Sequence, residues 1–180
     1  AHLRGCSFAS NAATREGGAI AMGGQGLTTV TGSTFGLNQA DDFGGALALN
    51  DGSLSVASSS FSRNRAATGG ALGVYLGALR LVECSLADND AVNGGAIALV
   101  FGNVSLEADW FSDNVASYSG GDVHNELGRV DCPSACPLPV PEASCTCSCN
   151  EEVTTLEQAK YWMTTQENCA PMNCMGGGVG

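Results

Sequence analysis

The amino-acid sequence predicts an all-β fold, a right-handed parallel β-helix of about five coils with a Cys-rich C-terminal cap containing one short helix. Three observations carry this expectation. The pattern F-x-x-N recurs as Phe8/Asn11, Phe35/Asn38, Phe61/Asn64, Leu86/Asn89 and Phe111/Asn114, at intervals of 27, 26, 25 and 25 residues. A glycine pair follows eight or nine residues after each Phe or Leu, as Gly17-Gly18, Gly44-Gly45, Gly69-Gly70, Gly94-Gly95 and Gly120-Gly121. Between these marks apolar side chains recur every second position, as strands require, and no helical period runs through the repeats.

Taken in order, the strand before each Phe holds Leu54/Val56, Leu79/Leu81 or Val104/Leu106. The strand after each glycine pair holds Ile20/Met22, Leu47/Leu49, Leu72/Val74 or Ile97/Leu99. Gly52, Gly77 and Gly102 mark the turns between these two strands, where a positive φ is expected. Each repeat thus contains about three short strands and three turns. A helical or leucine-rich repeat would need a helix-length apolar stripe, and a propeller blade needs about 40 residues.

Stacked coils place equivalent residues about 4.8 Å apart. Phe8, Phe35, Phe61, Leu86 and Phe111 then form one internal column and Asn11, Asn38, Asn64, Asn89 and Asn114 another, each amide bonding the amides above and below. Ala13, Ala40, Ala66, Ala91 and Ala116 form a third column that requires a small side chain. The solenoid is read as residues 1–131. Leu3 aligns with Val30, Val56, Leu81 and Leu106, as in a fragment of a longer solenoid. The fifth repeat degrades to "GGDV", with Asn125 in the column of Met22, Leu49, Val74 and Leu99. A sixth coil begins with Val130 and Cys132 in the columns of Val104 and Leu106, and stops at "CPSACP".

Residues 132–180 change character. Pro133, Pro137, Pro139 and Pro141 forbid further ladder pairing, and seven of the nine cysteines fall here. A cap is expected because the last coil of a solenoid exposes an open strand edge. The helix is expected near 151–167. Asn150 supplies an N-cap, Glu151 and Glu152 suit the positive helix start, and Val153, Leu156, Ala159 and Met163 make one apolar face.

The chain of 180 residues is 44% hydrophobic and 14% charged, enough to bury a core. Seven Lys+Arg against eighteen Asp+Glu give a net charge of −11, which repels phosphate backbones and anionic lipid surfaces, so no nucleic-acid partner is expected. No run of 18 apolar residues predicts a membrane span in this segment. Nine cysteines fit an oxidising compartment, hence an extracellular or cell-surface location. Asn103-Val104-Ser105 is an N-glycosylation sequon, in keeping with secretion.

The coupling of F-x-x-N to G-G-A-[IL] at this spacing resembles the repeats of chlamydial polymorphic outer membrane proteins, and similar β-helix repeats of other large surface proteins. The resemblance covers residues 1 to about 131. It implies the pectin-lyase-like fold group, whose members include adhesins, structural proteins and polysaccharide-cleaving enzymes.

Sites of chemistry are sparse. Cys145, Cys147 and Cys149 lie on one side of an extended segment, with Cys132, Cys136, Cys169 and Cys174 available nearby. Such a cluster could bind zinc, but paired C-x-x-C knuckles and histidine partners are missing, which favours disulfides of undetermined connectivity. Cys6 and Cys84 share a column with Ser33, Ser59 and Asp109; three coils separate them, roughly 14 Å, too far for a bridge. "GGQGLTTVT" echoes a calcium-binding nonapeptide but has Thr28 where the Asp ligand belongs. Asp41, Asp42, Asp88, Asp90, Asp109 and Asp113 read as solvated turn acids. The arginines are scattered, Lys160 is the only lysine, and His2 and His124 lie at opposite ends of the repeats. No catalytic, cofactor-binding or metal-binding residue is therefore expected. The leading expectation is a noncatalytic structural or adhesive segment of a large surface protein, whose partners are neighbouring subunits, other domains of the same chain or extracellular glycans. A carbohydrate-binding or polysaccharide-cleaving β-helix with its site elsewhere, and a subunit of an extracellular filament or sheath, are the alternatives.

Overall fold

In a computed structural model, which describes residues 1–131, the chain winds into a parallel β-solenoid of about five coils, and the described residues include no helix. Three sheets run along the stack, one of six strands and two of five. In the first, Leu3, Val30, Val56, Leu81 and Leu106 stand opposite one another, with Leu54, Leu79, Val104 and Val130 as the neighbouring inward row. The second sheet aligns Phe8, Phe35, Phe61, Leu86 and Phe111. The third aligns Ile20, Leu47, Leu72, Ile97 and Val123, and two residues on, Met22, Leu49, Val74, Leu99 and Asn125. Because side chains alternate along each strand, the apolar rows face one another across a narrow interior and form one continuous core.

The Phe column is built as a stack. Phe8, Phe35 and Phe61 lie within 5° of parallel, with centroids 5.0 and 4.8 Å apart, set by the distance between coils. Leu86 interrupts the rings and Phe111 follows it. A fourth, short ladder joins the second and third sheets: Ala12–Ala13 pairs with Gln39–Ala40, Asp90–Asn93 pairs with Val115–Ser119, and bridges at Arg65 connect the two. A reading of three strands per coil misses it, because two of its strands have only two residues and the other two, Asp90–Asn93 and Val115–Ser119, carry no regular apolar alternation.

Each coil turns at four left-handed corners, twenty in all, of which eleven are non-glycine. The first glycine of each pair is one of them: Gly17, Gly44, Gly69, Gly94 and Gly120 have φ between 58° and 70°. The second glycine is required for a different reason. A Cβ on Gly18, Gly45, Gly70 or Gly95 would lie 2.0–2.2 Å from the carbonyl oxygen of the equivalent glycine one coil on. The turns after the third sheet correct the sequence reading. Gly52 does have φ 81°, but in the following coils the left-handed residues are Leu76, Phe101 and Leu127, each one position before the glycine. Gly77 and Gly102 are needed for room, since a Cβ there would sit 2.6 Å from Leu49 Cδ2 and 2.5 Å from Gly77 O, respectively.

Candidate functional site

Two polar ladders cross the apolar interior, and both are structural. In the first, the Oδ1 of Asn38, Asn64, Asn89 and Asn114 each accepts the backbone N–H and the Nδ2 of the Asn one coil earlier, at 2.8–3.1 Å. Each Nδ2 also donates to the carbonyl at the preceding coil's Phe or Leu, as Asn64 does to Phe35 O at 3.0 Å. Asn38, Asn64 and Asn89 are fully buried, and every hydrogen-bonding group of their amides is used. In the second ladder, Ser33 Oγ accepts from Cys6 N and Ser59 Oγ from Ser33 N, both at 3.1 Å.

In the fifth coil, the last one described, each ladder meets a carboxylate. Asp122 stands where earlier coils have Ala19, Ala46, Ala71 and Ala96, and its Oδ1 accepts Asn114 Nδ2 at 2.9 Å, the place a sixth asparagine would take. Burial raises the Asp122 carboxyl, opposed by that hydrogen bond. Asp109 stands in the Ser column, and its two oxygens accept Cys84 N and Glu107 N, each at 2.8 Å. Burial pushes Asp109 up to about 6, against the amide hydrogen bonds that favour its charged form. Asp109 is therefore not the solvated turn acid expected from sequence. Asn125 replaces an inward aliphatic residue and satisfies itself on the adjoining turn, donating to Gly128 O and accepting from Gly128 N at 3.0 Å each.

His124 and Ser119 form a hydroxyl–imidazole pair, Oγ to Nδ1 at 3.0 Å, of the kind a hydrolase uses. Both residues are more than nine-tenths buried, so a substrate has no approach, and burial lowers the His124 pKa, opposed by the charge of Glu126. The Cys84 thiol is buried too and pushed by that burial up to about 11, the reverse of an activated nucleophile. Cys6 and Cys84 are not bonded to each other. Among the described residues no group of three or more His, Cys, Asp or Glu could hold a metal ion. The seven C-terminal cysteines and the helix expected near 151–167 lie outside the described residues.

Two surfaces remain as candidates. A shallow groove of about 310 Å³ runs over the outer face of the first sheet, bordered by Leu27, Ser53, Ser55, Arg80, Asn103 and Asp131. Its charges are neutralised locally, Arg80 by Glu107 at 2.5 Å and Arg129 by Asp131 at 2.7 Å, and the sequon residue Asn103 is exposed on its rim. The second is an apolar ridge along the corners after the third sheet, with Tyr75, Leu76 and Phe101 exposed and Leu127 half-buried. Tyr75 meets Phe101 edge to face at 6.3 Å. Arg63 and Arg65 point outward, beside Asp88 at 3.8 Å and Asp90 at 3.3 Å.

The class of protein these observations define is a parallel β-solenoid whose polar interior serves its own stacking. No protein-family model, curated protein or solved structure matches the chain.

Proposed function

We propose that this chain is a noncatalytic structural or adhesive segment of a cell-surface or extracellular protein, a stiff β-helical stem that holds other parts at a distance. The observation that carries the reading is the Asn ladder. It runs through all five coils, and the buried amides of Asn38, Asn64 and Asn89 are fully satisfied, so the polar groups of the interior are spent on cohesion between coils. The resemblance of F-x-x-N/G-G-A-[IL] repeats to chlamydial polymorphic outer membrane proteins and other surface β-helices supports it, as does the cysteine-rich sequence from residue 132 onward. Extracellular glycans are partners of suitable chemistry for the groove on the first sheet, and Asn103 is a glycan acceptor in keeping with this location.

The test is to incubate the purified chain with acidic and neutral polysaccharides, following new reducing ends and unsaturated products, and to measure its mass by light scattering over a wide concentration range. A stem yields no cleavage products and a constant mass. Cleavage establishes the polysaccharide-degrading alternative, and mass that grows with concentration establishes a filament subunit.

A further inference from the structure

The apolar ridge combines two costs in the same residues. The left-handed corner after the third sheet is occupied by Gly24, Gly52, Leu76, Phe101 and Leu127 in successive coils, with φ of 89°, 81°, 58°, 54° and 58°. Glycine adopts this backbone without penalty, and a residue with a Cβ does not. The first two coils use glycine; the last three use large apolar side chains, and Leu76 and Phe101 are also 56% and 47% exposed. Non-glycine corners of this kind occur elsewhere in the stack, Leu37 among them at 57% exposed, but among the described residues only this column carries large apolar side chains in three successive coils, with Tyr75 beside them.

The ridge is rigid and local. Leu76 N donates to Val100 O and Phe101 N to Glu126 O, both at 3.0 Å, so the corners are pinned coil to coil. Three corners at about 4.8 Å spacing make an apolar strip about 10 Å long. It lies on the third to fifth coils, and Leu127 is four residues before Asp131, the last described residue. Beyond that point 180 − 131 = 49 residues follow, and they contain one amphipathic pattern, Val153, Leu156, Ala159 and Met163. The 132–152 segment, extended at about 3.3 Å per residue, reaches well past the length of the ridge.

We propose that the ridge formed by Tyr75, Leu76, Phe101 and Leu127 is the docking site for residues 150–167 of the same chain, which lay their apolar face across coils three to five. The chain thereby covers its exposed apolar corners with its own C-terminal segment.

Hydrogen exchange read by mass spectrometry on the full chain tests this. Peptides covering 150–167 should exchange about tenfold or more slowly than the same sequence as a free peptide. In L76G/F101G, which installs the residue the first two coils already use, that protection should fall to the free-peptide rate while the third sheet keeps its own. L37G, at an exposed left-handed corner of a different column, should leave it intact. The reciprocal variant L156E/M163E leaves the sequence of the solenoid unchanged and should raise the hydroxyl-radical labelling of Tyr75 and Phe101 several-fold. The proposal is overturned by free-peptide exchange of 150–167 in the parent, by protection that survives L76G/F101G, or by unchanged labelling in L156E/M163E. Protection that disappears on dilution overturns it in favour of a second copy on the ridge.

Discussion

Replacing Gly70 by Ala gives the sharpest test of how tightly the coils are stacked. The added Cβ would lie 2.1 Å from Gly95 O, 2.8 Å from Asp90 O and 2.9 Å from Asp90 N, all backbone atoms that no side-chain rotation can move aside. Restoring ordinary contact demands that the third and fourth coils part locally by about an ångström, which forfeits dispersion as well as hydrogen bonds. The bonds at risk are Gly70 N to Gly94 O, Ala71 N to Ala96 O and Leu72 N to Ala96 O, each 2.9 Å. At about 1 kcal/mol each their loss costs about 3 kcal/mol, partly offset by the lower unfolded-chain entropy of Ala, about 0.4–1 kcal/mol. The net expectation is a loss of about 2 to 3 kcal/mol. Gly121, the equivalent residue of the fifth coil, supplies the control. Its Cβ would find only Asn114 O at 3.6 Å among the described residues, and its φ is not left-handed, so Gly121→Ala should be neutral or slightly stabilising. Urea unfolding followed by far-UV circular dichroism, with unchanged m values, measures both. A Gly70→Ala protein within about 0.5 kcal/mol of the parent, or a Gly121→Ala protein equally damaged, refutes the reasoning.

Three further expectations follow from the same interior. Phe61→Ala removes a ring that is fully buried and stacked on Phe35, and should cost about 3 to 5 kcal/mol in the same assay. Asn64→Ala leaves the N–H and Nδ2 of Asn38, the carbonyl of Phe35 and the Oδ1 of Asn89 short of a partner, for a loss of about 3 kcal/mol or more. Asp109→Ser restores the hydroxyl of the earlier coils and should change the pH dependence. The folded carboxyl of Asp109, at about 6, lies above its unfolded value, so its contribution is fully present below about pH 4 and lost as pH rises through 6. The parent should therefore gain more Tm than the variant between pH 7 and pH 4.5; an equal gain in both proteins removes Asp109 from the account.

The parallel solenoid was legible because its determinants repeat. A glycine pair without which neighbouring backbones collide, and an alternating apolar pattern on either side of it, must recur in every coil, so the period is written in residues. What the sequence left hidden is what occurs once or breaks a column. Asp109 read as a solvated turn acid and Asp122 as part of a degrading repeat, yet each is an acceptor at the last described rung of a ladder. The signal was present in principle: a carboxylate replacing a small residue only in the final repeat. Leu76, Phe101 and Leu127 were illegible as corner residues because propensity assigns such backbone to glycine, and glycine does stand beside all three, at positions 77, 102 and 128. Only alignment with Gly24 and Gly52 exposes the substitution.

The direction of the Asn ladder has a consequence for how such a chain can lengthen. Every interior coil offers its N–H and Nδ2 to the next coil and presents Oδ1 to the one before, so the two faces of a coil are complementary halves of one joint. A tandem duplication of the third coil would meet its own copy and the fourth coil through joints that already exist, adding rungs in steps of about 25 residues without inventing an interface. The fifth coil admits no such copying: moved inward, Asp122 would put a carboxylate in an alanine column and Asn125 an amide in an aliphatic one. Evolution can thus count length freely among the middle coils, while the fifth has to be kept as a single copy.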